Sequence, residues 1–177
     1  MLTSILVFLA ITAVAAGVGY AFLVRLPASR IPPKTMRYLE WICRYALALI
    51  FLFAAWEKLQ NPYAFASDTY AYRAVPPSWA TITGIALPAI EVLAAGALMT
   101  GLFWRGGAVV LGGLLVIFIA ALFQAILRGI DINCGCFGKE SNPVSFRLIA
   151  EDELLLLCAL FPLWIDHLRR TGRWPRR

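Results

Sequence analysis

Cys134 and Cys136, with Gly135 between them, stand in the polar stretch RGIDINCGCFG from Arg128 to Gly138. Two residues apart, their Cα atoms are at most about 7 Å from one another, and a disulfide needs roughly 4.4 to 6.8 Å, so the pair can bridge. Gly135, having no Cβ, reaches the backbone angles that so small a ring demands. A disulfide stabilises mainly by shortening the unfolded chain, and a bridge over one intervening residue shortens it by almost nothing. Strained, exposed bridges are the labile and catalytic ones. The spacing therefore points to a redox couple, the other reading being an ordinary turn with two free thiols. Which cysteine attacks is not marked by its neighbours.

The rest of the chain says where such a loop would work. Its 177 residues are 61% hydrophobic and 15% charged, with a mean hydropathy of +0.76, too apolar for a soluble domain. An all-α integral membrane protein is expected. A net charge of +6 would suggest nucleic acid in a soluble protein. Here the basic residues flank apolar segments, so they read as topology signals, and no nucleic-acid motif is present. Cys43 and Cys158 fall inside apolar segments, which leaves one redox pair in a loop and predicts that these two behave as small buried hydrophobes.

Five transmembrane helices are predicted. Leu2 to Val24 is an uncharged run of 23 residues, without the basic leader and short apolar stretch of a signal peptide. Residues 25–37 read as a basic linker, residues 38–168 as the main membrane domain and residues 169–177 as a basic tail. Within that domain the apolar segments are about Tyr38 to Trp56, Trp79 to Gly101, Trp104 to Leu127, and a last helix beginning near Val144 or Phe146. The last is the least regular, since its uninterrupted apolar run, Leu154 to Ile165, is only 12 residues. Between the first two of these segments, Glu57 to Ser78 reads as a polar loop whose Tyr63, Phe65, Tyr70 and Tyr72, with Trp79, form an interfacial aromatic group. Gly106, Gly107, Gly112 and Gly113 allow close helix contact. The linker, Arg105 and the tail hold ten Lys and Arg residues, against five on the opposite side. This predicts a periplasmic amino terminus, a cytoplasmic carboxyl terminus and a CGC loop on the periplasmic face of a bacterial inner membrane, where disulfides persist.

Charged groups inside the membrane are expensive and need partners. Arg44 and Glu91 lie at similar depth along their helices, and an ion pair between them is expected. Asp152, with Glu151 and Glu153, must face water, a basic partner or the bundle interior. Gln124 should approach the periplasmic surface near the cysteines, placed to hydrogen-bond a quinone or a neighbouring helix. Two loop thiolates are too few for structural zinc, although soft thiolates suit copper(I), which keeps metal handling as an alternative.

The succession AWEKLQNPYAFASDTYAYRAVP, LPAIEVLAAGALMTG, CGCFG and FRLIAEDELLLL resembles the MauE/DoxX group of small bacterial membrane proteins, over about Arg37 to Ile165. CGCFG points to the MauE branch. The resemblance implies a four-helix transmembrane bundle, here preceded by one extra helix, with Arg44, Lys58, Glu91, Cys134, Cys136 and Asp152 at the group's motif positions. It further implies a link to methylamine utilisation, where the branch is thought to help form disulfides in the periplasmic subunit of methylamine dehydrogenase. Trp56 and Glu57 depart from the pattern, standing where small residues are expected before the lysine.

Together these readings favour thiol–disulfide exchange with an exported protein partner, Cys134 and Cys136 doing the chemistry and Gly135, Lys58, Gln124 and Asp152 supporting it. Quinone is the natural electron sink, although no residue specifies it. The rival is a non-catalytic membrane anchor or assembly subunit of a larger redox complex.

Overall fold

The computed structural model describes residues 32–71, 77–127 and 146–172. The expected extra helix over residues 1–24, most of the 25–37 linker and the CGC loop lie outside the described residues. Five helices are described: α1 (Pro33–Gln60), α2 (Pro62–Ala71), α3 (Pro77–Thr100), α4 (Trp104–Leu127) and α5 (Phe146–Arg170). The four long helices close a ring in which α1 packs on α3, α3 on α4, α4 on α5, and α5 back on α1. The protein is an all-α, multi-pass membrane protein.

Local sequence explains each boundary. α1 begins at Pro33, within the stretch expected as linker, because proline's missing N–H costs nothing in a first turn and Met36 is already buried. The α3–α4 connection is three residues long, made possible by the left-handed Gly101 (φ 76°). Thr100 Oγ1 donates to the carbonyl of Gly96 at 2.8 Å and so helps close the end of α3. α2, in the segment expected as a polar loop, lies on α3 where Gly84 has no side chain. A Cβ there would stand 3.1 Å from that of Ala66 and 3.3 Å from the Pro62 carbonyl.

The core is a seam of small and branched apolar residues, including Leu47, Phe51, Ala95, Leu98, Leu111 and Ile119. Of the four glycines noted in α4, Gly107 sets a helix approach most tightly: a Cβ there would sit 2.6 Å from the Ala94 carbonyl oxygen. Gly106 and Gly113 face open space, and Gly112 makes ordinary contacts. Outward faces carry exposed Leu49, Phe53, Trp56, Leu93, Val109 and Ile117, the surface a lipid environment rewards. Helices α1 and α4 and the Ile82–Thr100 part of α3 are long and apolar enough to cross a membrane. α5 runs unbroken from Phe146 to Arg170, carries Glu151, Asp152 and Glu153 ahead of its short apolar run, and turns its buried Leu156, Ala159, Trp164 and Ile165 inward.

Candidate functional site

Lys58 stands in the last turn of α1, where a cation is favoured by the exposed carbonyls of the helix end. It nevertheless does not reach solvent. Its Nζ donates to Glu91 Oε1 on α3 at 2.5 Å and lies 5.3 Å from the ring centre of Phe65 on α2 and 5.1 Å from that of Phe118 on α4. The two charged side chains are 3% and 0% exposed, so this is a fully desolvated ion pair capped by aromatic faces. Phe65, expected in an interfacial aromatic group, instead covers Lys58, while Tyr63 remains 87% exposed.

Asp152, half-buried and six residues into α5, lies within electrostatic reach of Lys58. Lys58, Glu91 and Asp152 line a cavity of about 30 Å³, shared with Phe51, Phe118 and Leu155. That is enough room for a water molecule. Glu91 Oε2 has no hydrogen-bond partner among the protein groups described. A buried carboxylate oxygen left in that condition carries a desolvation cost, and this marks the cavity as a polar site inside the bundle.

The ion pair expected between Arg44 and Glu91 is not the one the helices form. Arg44 Nη2 donates to the Leu98 carbonyl at 2.8 Å, and its guanidinium lies 5.0 Å from the Trp41 ring centre and 4.9 Å from that of Trp104. Leu98 is among the last residues of α3, whose carbonyls have no partner within the helix, so Arg44 caps that end. Matching Arg44 with Glu91 by depth assumed that α1 and α3 end level. With Arg44 opposite Leu98, the first nine residues or so of α1 overhang α3 by about 13 Å at 1.5 Å per residue. That offset puts Glu91 about level with Phe51, midway between Arg44 and Lys58, and because side chains lean toward the N-terminus of their helix, Lys58 and Glu91 reach for each other while Arg44 turns away.

The overhang is tied to α5 instead. Arg169 Nη2 donates to Glu40 Oε2 at 2.5 Å, and Asp166 accepts from Arg105 at 2.8 Å and pairs with Arg170 at 3.0 Å. Glu40 and Arg44 share a helical face by their spacing, but nothing in the sequence joins Glu40 to a residue 129 positions away. Gln124 is half-buried one turn before α4 ends at Leu127. Cys134, Gly135 and Cys136 lie outside the described residues. Cys43 and Cys158, expected to be unrelated buried thiols, are brought close enough for their side chains to interact.

A family model described as Methylamine utilisation protein MauE matches residues 36–165. The chain belongs to the MauE family. The match takes in all of α2, α3 and α4, nearly all of α1, most of α5 and the CGC loop, together with Arg44, Lys58, Glu91 and Asp152. The chain is 34% identical over 122 residues to the Methylamine utilization protein MauE of Paracoccus denitrificans, an overlap covering 68% of this chain and 66% of that one. It is 29% identical over 124 residues to the protein of the same name from Paracoccus versutus, covering 69% and 67%. The chain thus spans about two thirds of the length of these MauE relatives. No solved structure matches it.

Proposed function

We propose that this MauE family member is a membrane thiol–disulfide exchange protein, acting through Cys134 and Cys136 at the periplasmic face of the cytoplasmic membrane. It oxidises an exported protein partner, and the family's name supports a partner that belongs to methylamine utilisation. In the exchange, a partner thiolate attacks one sulfur of the Cys134–Cys136 bridge and releases the other as a thiolate. A second partner thiolate then resolves the mixed disulfide, so the partner leaves oxidised and the loop is left as a dithiol. Two electrons and two protons must then leave the loop to restore the bridge. A membrane quinone is the acceptor whose chemistry takes both.

One observation carries this reading. α4 and α5, the helices that hold the two ends of the CGC loop, both line the cavity containing Lys58, Glu91 and Asp152. A couple that exchanges protons with each turnover is thus supported by the same elements that hold buried carboxylates and an ammonium group. In spheroplasts, a membrane-impermeant maleimide should label the loop cysteines after reduction and label neither before it. Labelling that requires membrane permeabilisation would contradict the orientation, and full labelling without reductant would contradict the disulfide.

A further inference from the structure

Cys43 and Cys158 stand apart from that chemistry, yet the fold makes them neighbours. Cys43 lies ten residues into α1 and Cys158 twelve residues from either end of α5, or about 15 Å and 18 Å along their helices. Both are half-buried free thiols, close enough for their side chains to interact. The antiparallel register of the two helices supports the pairing independently. Met36 clusters with Ile165 and Leu168, Glu40 holds Arg169, and Phe51 and Ala54 share a cavity with Leu155 and Asp152. Over their length, advancing along α1 from Met36 to Ala54 is matched by retreating along α5 from Ile165 and Leu168 to Asp152, and Cys43 and Cys158 fall between those ends.

We propose that Cys43 and Cys158 are a second thiol–disulfide couple, set between α1 and α5, which a lipid-soluble two-electron oxidant of the quinone class closes into a bridge between the two helices. The balance is simple. Two S–H bonds break and one S–S bond forms, while two electrons and two protons pass to the quinone carbonyl oxygens, giving a quinol. The setting of the pair, half-buried between two helices of a membrane protein, selects this oxidant, because charged thiol reagents such as glutathione partition poorly into an apolar seam, whereas a quinone dissolves in the adjoining lipid. Partial exposure at the α1–α5 seam gives it access. Unlike the CGC ring, this bridge would close a loop of more than a hundred residues, so oxidation should be felt strongly in stability.

The test uses the purified full chain in lipid nanodiscs with decylubiquinone as oxidant. In wild type, non-reducing digestion and mass spectrometry should find the Cys43 peptide linked to the Cys158 peptide. In the Cys134→Ser/Cys136→Ser protein, maleimide-reactive thiols counted after denaturation should fall from two to none. The melting temperature should rise by roughly 10 °C, reversed by reductant, and Cys158→Ser should abolish the rise. Two thiols still reactive after quinone treatment would overturn the proposal, even if copper–phenanthroline can force the bridge. Linkage of Cys43 or Cys158 to a loop cysteine instead would overturn it equally.

Discussion

Replacing Lys58 by Met or Glu91 by Gln should each destabilise the protein severely, while replacing both together should restore much of the loss. Each single change strands the partner in a site that is 4% or 0% exposed, and removing one member of a buried ion pair typically costs about 3 to 5 kcal/mol. In the double variant neither member of the pair is left stranded, so the interaction term of the cycle should be large and of opposite sign to the single losses. Thermal unfolding in detergent, followed by circular dichroism, reads this directly. Arg44→Met is the internal control. Because Arg44 caps the Leu98 carbonyl rather than meeting Glu91, its loss should add to that of Glu91→Gln without compensation. Strong coupling of Arg44 to Glu91, with none between Lys58 and Glu91, would mean the helices are offset differently.

The second large effect is on activity rather than stability. Cys134→Ser and Cys136→Ser should each abolish exchange with the exported partner while leaving the melting temperature within a degree or two of wild type, because a bridge closing so short a loop adds little to stability. One of the two single variants should also hold the partner covalently. Its remaining thiol can form the mixed disulfide but lacks the neighbour that resolves it, so a reductant-sensitive band of higher mass should appear on a non-reducing gel. If both variants support the biological process as well as wild type, the thiol mechanism is wrong and the assembly-subunit reading replaces it.

Much of the architecture was legible because membrane helices are written in long apolar runs. Trp104 to Leu127 matches α4 residue for residue, and the irregular last segment begins at Phe146 as expected. What the sequence hid depends on relations between helices. The α2 helix was obscured by polar and turn-forming residues that suit a loop equally well, and its role appears only once Gly84 and Lys58 supply surfaces for Ala66 and Phe65. Lys58 and Asp152 were recognised as supporting residues, but their convergence with Glu91 was not, since the offset of α1 along α3 is set by packing and capping. Likewise Cys43 and Cys158 are 115 positions apart on helices whose rotation about their own axes no spacing rule fixes. The salt bridge from Glu40 to Arg169 was invisible for the same reason.

The most direct measurement of the central claim is a redox titration of the loop pair. The purified protein is equilibrated in dithiothreitol and glutathione buffers of graded potential, quenched with acid, alkylated, and the Cys134–Cys136 peptide is quantified by mass spectrometry. A reversible two-electron transition is expected, at a potential above about −300 mV, as befits a strained exchange-competent bridge rather than a structural one. A loop pair that remains a dithiol throughout, or a bridge that resists reduction at every potential, would contradict thiol–disulfide exchange as the function of this chain.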